Sequence, residues 1–542
     1  MFRKQKQLRR VASIFLILLL HRCLALAAQA PSAARPNILL ILVDDMGFSD
    51  LGCYGSEIPT PNLDRLAAQG LRFTQFYNTG RCCPTRASIL TGLYPHQTGV
   101  GHMTEDDGIP GYRGRLNDSC VTIAEVLRTA GYFTAMSGKW HVGQNHGVVP
   151  WQRGFDRSIN SPAGGFYFPE GKQNRLFLNG KALADDSTEL PKNWYTTDLY
   201  ADYGVKFIDE ALAAKKPFFL YLAFNAPHFP LQAPADEIAK FRGSYRIGWD
   251  KLRELRHAKQ KELGIVDKSW PLSPRPDAVE AWDSLSEADK DRFDHVMAIY
   301  AACVAHMDTS VGRIVAALKE RGALENTLLM FMSDNGGNAE SGPRGRLEGD
   351  NPGGPYSTVF CGQSWATLEN TPFRRYKHFN HEGGISTPLI IHWPAGVSAK
   401  GELRQQPGHL VDIMATCVDV AGATYPAEFR GHTIVPVEGR SLLSAFANQP
   451  IDREAIYWEH EGNAAVRVGD WKLVRLGYKG PWELYNLKDD RTELHDLSAV
   501  QPDRTRELAA KWDSWAERTN VKPYPASNAG GAQKGKKKTK AK

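Results

Sequence analysis

Four continuous apolar segments that each end in a polar cluster constrain the fold of this chain more than any other feature. Residues 37–43 read Asn-Ile-Leu-Leu-Ile-Leu-Val, which is typical of a strand buried on both faces of a sheet. Helical patterns lie between the segments, such as the helix that a capping box at residues 122–125 begins. The segments and the polar residues that follow them are residues 37–43 with Asp44 and Asp45, residues 132–136 with Lys139 and His141, residues 218–223 with His228, and residues 328–332 with Asp334 and Asn335.

This alternation predicts an α/β fold in which helices cover both faces of a mostly parallel central sheet. Ligands of such sheets bind beyond the carboxyl ends of the strands, so we expect the polar clusters to meet at one edge. From about residue 451 the pattern changes to short apolar runs with turn residues between them, followed by a helical pattern over residues 502–518. The C-terminal part is therefore predicted to be a smaller subdomain made of an antiparallel sheet and a helix.

The two ends of the chain differ from its interior. Basic residues, an apolar run over residues 11–20 and small residues at 25–28 form the pattern of a secretory signal peptide. The run is short for a membrane span, so a retained anchor is the weaker alternative and no stable span is expected. We predict a signal peptide over residues 1–27, a catalytic domain over 36–448, the C-terminal subdomain over 449–525 and a disordered, lysine-rich tail over 526–542. The protein is expected to be exported to the periplasm or the extracellular space.

The net charge of +6 comes from the two ends of the chain. Six cationic residues lie in the predicted signal region and six lysines lie in the tail, with no acidic residue in either, so residues 28–525 carry a net charge of −6. A mildly acidic body lacks the basic face of a nucleic-acid-binding protein. We therefore expect no nucleic-acid partner.

Four of the polar residues offer oxygen ligands to a metal ion: Asp44, Asp45, Asp334 and Asn335. Oxygen donors suit a hard cation, Ca²⁺ or Mg²⁺. Taken singly, Asp44 and Asp45 also fit a helix cap, and Asp334 and Asn335 also fit a turn. Their shared position after buried strands favours a metal site. The eight cysteines have no paired CxxC spacing, which argues against a zinc ribbon.

The segment Cys82-Cys83-Pro84-Thr85-Arg86 is the second chemical feature. Pro84 suits the first turn of a helix, and Arg86 lies one turn after Cys82. Helix-terminal amides and a guanidinium both favour an anion at this position. A structural cysteine in front of a helix is the alternative. A disulfide between the adjacent Cys82 and Cys83 would be strained.

Residues 82–92 resemble the signature of the type I sulfatases, whose fold belongs to the alkaline phosphatase superfamily. The resemblance extends from about residue 36 to about residue 518, and blocks near residues 110–118 and 227–231 resemble bacterial arylsulfatases. The other matching blocks are residues 37–45, Gly138-Lys139-Trp140-His141, Ala226-Pro227-His228, Ser333-Asp334-Asn335-Gly336, and Lys377 five residues before Glu382-Gly383-Gly384.

The resemblance implies that a maturation enzyme oxidises Cys82 to Cα-formylglycine (3-oxoalanine), which also contacts the metal. One hydroxyl of the hydrated aldehyde then attacks sulfur, aided by the metal and by Asp45 or a neighbouring ligand. His228 protonates the leaving alcohol or phenol, and His141 takes the proton of the second hydroxyl so that sulfate is released.

The resemblance also implies roles for three cations. Lys139 and Lys377 neutralise the sulfuryl oxygens together with the metal, and Arg86 orients residue 82. Further candidates for substrate contacts are His102, Asn338, His378 and His381.

The leading hypothesis is therefore an exported sulfuric ester hydrolase that cleaves aryl or carbohydrate sulfates. Two alternatives stay open. A phosphonate or phosphodiester hydrolase of the same superfamily would use the same residues, and a non-catalytic binder of sulfated glycans would keep the fold without the reaction.

Overall fold

A computed structural model describes residues 35–170, 176–184 and 186–525. The predicted signal peptide and lysine-rich tail lie outside the described residues. The chain divides into the units Met1–Pro36 and Asn37–Lys542, and the second contains every described helix and strand. None of the helices in the described ranges has the length and apolar character that a membrane span requires.

The elements alternate through the first two thirds of the chain and become short strands towards its end. The strands are β1 (Asn37–Val43), β2 (Leu71–Tyr77), β3 (Phe133–Lys139), β4 (Arg157–Ser161), β5 (Phe177–Leu178), β6 (Lys181–Ala182), β7 (Phe218–Ala223), β8 (Thr327–Ser333), β9 (Arg346–Glu348), β10 (Thr358–Phe360), β11 (Ser386–His392), β12 (Glu402–Arg404), β13 (Gly408–His409), β14 (Glu428–Phe429), β15 (His432–Thr433), β16 (Ile456–His460), β17 (Asn463–Val468), β18 (Trp471–Arg475) and β19 (Trp482–Asn486). The α-helices are α1 (Pro61–Ala68), α2 (Cys82–Thr91), α3 (Ile123–Thr129), α4 (Thr196–Ala213), α5 (Ala235–Phe241), α6 (Trp249–Glu262), α7 (Glu287–Glu320), α8 (Gly362–Glu369), α9 (Glu382–Ile385), α10 (Asp412–Ala421), α11 (Leu443–Phe446) and α12 (Pro502–Arg518).

Strand β1 lies inside the large sheet, whose order is β12-β2-β11-β8-β1-β7-β3-β4-β5-β6, with β13 also paired to β2. β1 pairs in parallel with β7 and β8, and β3 pairs in parallel with β7 and β4. β11 runs antiparallel to both β2 and β8. The prediction of a mostly parallel sheet is confirmed, and the carboxyl ends of β1, β3, β7 and β8 meet at one edge.

Both faces of β1 are covered, which explains its continuous apolar sequence. Leu39 and Ile41 pack into one core with helices α4 and α7, and Leu40 and Leu42 pack into the other with α2, α3 and α10. Alternate residues of a strand point to opposite faces, so a strand between two helical layers needs apolar residues at every position.

The C-terminal subdomain is also confirmed. Strands β16 to β19 form an antiparallel meander, and Trp512 and Trp515 of α12 pack on Val466 and Leu473 of that sheet.

Two segments lie outside the large sheet and pack together. Residues 240–295 contain α6 and are largely irregular from residue 263 to residue 286. Residues 340–370 contain the β9–β10 hairpin and α8, where buried Trp365 packs against Trp249 and Trp282.

A buried ion-pair network joins the C-terminal subdomain to the edge of the large sheet where the carboxyl ends of β1 and β8 lie. The Glu382 carboxylate lies 2.8 Å from the ammonium of Lys472 and 2.7 Å from Nε of Arg491, and it accepts hydrogen bonds from Tyr77 and Ser386. Burial disfavours its charge, but Lys472 and Arg491 outweigh burial and lower the pKa of Glu382 to about 2. Glu382 is thus an anionic anchor for two C-terminal cations.

Replacing Glu382 with Gln leaves two buried cations without this partner, so we expect a loss of about 3–5 kcal/mol in the free energy of unfolding at pH 7. Denaturant unfolding measures the change. The matched control is Glu320→Gln, whose side chain is 76% exposed. Because the folded-state pKa of Glu382 is depressed, this stabilisation is complete above about pH 4.5 and fades as the pH falls towards 2. The unfolding free energies of the wild type and of Glu382→Gln should therefore converge in acid. Equal stability at pH 7 would contradict the anchoring role.

Candidate functional site

The structure brings all ten predicted site residues together at the carboxyl edge of the sheet. Asp44 and Asp45 follow β1, Asp334 and Asn335 follow β8, and Lys139 ends β3. The other five are His141 just after β3, His228 in the loop after β7, Cys82 and Arg86 in α2, and Lys377 five residues before α9.

One half of the site is a buried cluster of two carboxylates and two cations. The ammonium of Lys139 lies 2.5 Å from Asp44 Oδ2. The guanidinium of Arg86 lies 2.8 Å from Asp334 Oδ2 and 3.4 Å from Asp44 Oδ2, and it also donates to the carbonyl of Lys139. Burial and the neighbouring charge of Asp44 raise the pKa of Asp334 well above its usual range. This half of the site therefore favours additional positive charge.

The other half is centred on Asp45. Its Oδ1 lies 2.7 Å from the ammonium of Lys377 and accepts a hydrogen bond from the amide of Asn335, and its Oδ2 accepts one from Asn338 at 2.6 Å. Burial opposes ionisation, but Lys377 and His228 keep the pKa of Asp45 below its usual range. Asp45 is thus an ionised ligand candidate held by three side chains.

Two oxygens in this cluster have no hydrogen-bond partner among the described residues, although both are buried: Oδ1 of Asp44 and Oδ1 of Asn335. Buried polar atoms are normally paired, so unpaired oxygens beside further carboxylates indicate room for a ligand. Carboxylate and amide oxygens are the donors that a hard cation prefers. The residues present fit a Ca²⁺ or Mg²⁺ ion.

Cys82 is the first residue of α2, and its side chain is buried among polar groups. Cys82 and Cys83 are both free thiols. A hydrogen bond from Cys83, the ammonium of Lys139 and the ring of His141 lower the pKa of the Cys82 thiol well below its usual range, although burial opposes this. Position 82 therefore favours a negatively charged atom at a helix N-terminus.

Two histidines complete the site, with His141 beside Cys82 and His228 beside Asp45. Nδ1 of His228 lies 2.5 Å from the carbonyl oxygen of Phe229, so this nitrogen carries a proton, and Nε2 lies 3.6 Å from Asp45 Oδ2. Burial lowers the pKa of His228. Burial, together with Lys139, lowers the pKa of His141 to about 4, so His141 is a neutral base at pH 7.

Arg86, His381 and Glu340 each make contacts that the sequence did not predict. The hydrogen bonds of Arg86 run to Asp334 and to the Lys139 carbonyl. His381 lies 3.2 Å from Glu483 of the C-terminal sheet. Sequence reasoning missed Glu340, which lies 3.1 Å from Arg81 and 3.6 Å from Lys377, because a lone acid in a glycine-rich stretch gave no signal.

Comparison with known proteins identifies this arrangement. The Sulfatase family model matches residues 36–423, and the model described as N-sulphoglucosamine sulphohydrolase, C-terminal, matches residues 374–515. The chain is 35% identical to an uncharacterized sulfatase of Schizosaccharomyces pombe over 543 residues, covering 93% of this chain and 97% of the relative. It is also 35% identical to the arylsulfatase of Klebsiella aerogenes over 438 residues, covering 77% of this chain and 94% of the relative.

Solved structures agree with these matches. The crystal structure of Ps i-CgsB, which was also solved in complex with k-i-k-neocarrahexaose, superposes with a TM-score of 0.66 at 29% identity and covers 89% of this chain and 93% of that chain. The expected alkaline phosphatase-like fold is confirmed. The chain belongs to the sulfatase family, whose members hydrolyse sulfate esters.

Proposed function

We propose that this sulfatase hydrolyses aryl or carbohydrate sulfate esters with a formylglycine formed from Cys82 and a bound Ca²⁺ ion. The observation that carries the proposal is the position of Cys82, which lies buried at the N-terminus of α2 beside Lys139 and His141. Lys139 in turn contacts Asp44, which has an unpaired buried oxygen. The similarity to an arylsulfatase and to Ps i-CgsB supports both substrate classes.

The metal would be held by Asp44, Asp45, Asp334, Asn335 and the side chain of residue 82. When bound, it supplies positive charge that polarises the sulfuryl group. We favour Ca²⁺ over Mg²⁺ because the ligands come almost entirely from the protein, whereas Mg²⁺ usually keeps several waters. Maturation of Cys82 requires a partner enzyme, and the N-terminal sequence pattern supports export to the periplasm or the extracellular space.

When hydrated, the formylglycine supplies a gem-diol oxygen as the nucleophile. Lys139 and Lys377 lie against the carboxylates of Asp44 and Asp45, where their ammonium groups can bind the sulfuryl oxygens and stabilise the charge that develops there. Arg86 holds the Asp334 carboxylate in place through an ion pair of 2.8 Å.

The two histidines move protons in this proposal. The carbonyl of Phe229 fixes Nδ1 of His228, so Nε2 is the atom that donates a proton to the leaving oxygen, and the nearby Asp45 stabilises the imidazolium. His141 is neutral because of burial and Lys139, so it accepts the proton that allows sulfate to leave.

The proposed function is tested with the sulfate ester and a phosphodiester of the same phenol, assayed on matured protein. We expect faster turnover of the sulfate, loss of activity in a chelator and recovery on addition of Ca²⁺. Faster turnover of the phosphodiester would favour a phosphorus ester hydrolase, and bound but unhydrolysed sulfated glycan would favour a binding protein.

Calcium should also stabilise the folded protein. A ligand that binds the native state at a hundredfold excess over its Kd adds about 2.7 kcal/mol to the free energy of unfolding. We expect denaturant unfolding to show this increment for the wild type but not for Asp334→Asn. The control Asp503→Asn, which changes a side chain that is 91% exposed, should keep the increment. An increment of equal size in Asp334→Asn would place the ion elsewhere.

The leaving-group dependence of His228→Ala tests the role of this histidine. We expect kcat to fall by about 10²–10⁴-fold for an alkyl or sugar sulfate, whose leaving oxygen needs a proton, and by much less for a nitrophenyl sulfate. Rates across a series of leaving-group pKa values measure this. An equal loss for every leaving group would contradict the assignment of His228 as the general acid.

A further inference from the structure

We propose that His102, His460 and Glu461 form a second metal site that binds Zn²⁺ or a similar transition metal ion, separate from the proposed Ca²⁺ site around Asp44 and Asp45. The proposal does not rest on sulfatase activity. One ligand atom from each of the three side chains lies within 4.8 Å of the other two.

Two of the three distances between these ligand atoms are close to the edges of a small tetrahedral site. Nε2 of His102 lies 3.2 Å, and Nε2 of His460 3.7 Å, from the same oxygen, Oε1 of Glu461. Zinc bonds to nitrogen and oxygen of about 2.0–2.2 Å place neighbouring ligand atoms about 3.3–3.5 Å apart. Small movements of the side chains would therefore bring all three atoms into one coordination sphere.

His460 provides a second and independent observation. Its side chain is fully buried, and neither ring nitrogen has a hydrogen-bond partner among the described residues. A buried, unpaired imidazole is unfavourable unless a ligand satisfies it.

The backbone positions the acidic ligand. Glu461 and Gly462 form the two-residue turn between β16 and β17, and both have positive φ, 53° and 84°. Hairpin turns of this kind favour glycine, asparagine or aspartate, so a glutamate at φ 53° is unusual. Its carboxylate is shared, because Oε2 lies 2.7 Å from Nδ1 of His378 while Oε1 lies near His102. His378 thus orients the ligand from outside the site.

The donor set selects the class of ion. Two imidazole nitrogens and one carboxylate suit zinc, whereas the oxygen cluster around Asp45 suits Ca²⁺. Three protein ligands leave a fourth position for water or for a group of the substrate. His460 is fully buried, so a bulky sugar cannot contact it directly.

The site links the C-terminal sheet to the rim of the catalytic centre. His378 contacts Arg81, the residue before Cys82. It also lies 3.2 Å from Glu340, and Glu340 in turn lies 3.6 Å from Lys377. A metal bound here would hold the turn that carries Glu461 close to Arg81, Glu340 and Lys377.

The test is isothermal titration of Ca²⁺-saturated protein with ZnCl₂ in a Cys82→Ser, Cys83→Ala background. Ca²⁺ keeps the oxygen site loaded, and the two substitutions remove the alternative group of Cys82, Cys83 and His141. We expect one equivalent of zinc. In the same protein, Co²⁺ should give the visible absorption of a tetrahedral nitrogen and oxygen site without thiolate bands.

Variants assign the ligands. His102→Ala and Glu461→Gln, which change partly exposed side chains, and His460→Ala should each weaken zinc binding at least tenfold. The matched control, His495→Ala, changes a histidine that is 74% exposed and should leave binding unchanged. No zinc binding by the folded background protein, or binding that all three ligand variants retain, would overturn the proposal.

Discussion

The pairing of buried carboxylates with buried cations at the carboxyl ends of β1 and β8 is the interaction on which the site depends. Burying any one of these charges alone would cost several kcal/mol, so Lys139, Arg86 and Lys377 balance Asp44, Asp334 and Asp45. The pairing is incomplete, because two oxygens stay unpaired and the pKa of Asp334 is raised. The cluster is therefore assembled in the folded protein and still favours a further cation.

The scaffold explains how residues so far apart in sequence meet. β1 lies between β7 and β8, and parallel register brings the ends of three strands to the same edge. The apolar cores on both sides of this sheet leave little freedom for movement at that edge. The C-terminal sheet adds a second support through Glu382, whose charge is matched by Lys472 and Arg491.

Much of this arrangement could be predicted from the sequence, and the rest depends on long-range contacts. Buried strands have a strong local signal, so β1 and β7 have the predicted bounds, whereas β3 extends to Lys139 because a buried strand end can carry small and polar residues. The polar clusters at the ends of β1, β3, β7 and β8 could be predicted because each comes with such a strand, whereas Cys82, Arg86 and Lys377 depend on the resemblance to the sulfatases. Contacts such as His102 with Glu461, 359 residues apart, arise only when the C-terminal turn packs beside the segment after α2, and no local pattern encodes that.

The proposed reaction requires a formylglycine at residue 82, and the mass of the tryptic peptide that contains this residue shows whether it is present. Trypsin cuts after Arg81 and Arg86, so residue 82 lies in a short peptide that suits mass spectrometry. For protein made in a host that matures sulfatases, we expect a peptide in which the sulfur, its hydrogen and one Cβ hydrogen of Cys82 are replaced by one oxygen, in proportion to aryl sulfatase activity. A fully active preparation whose Cys82 is an unmodified thiol would contradict it.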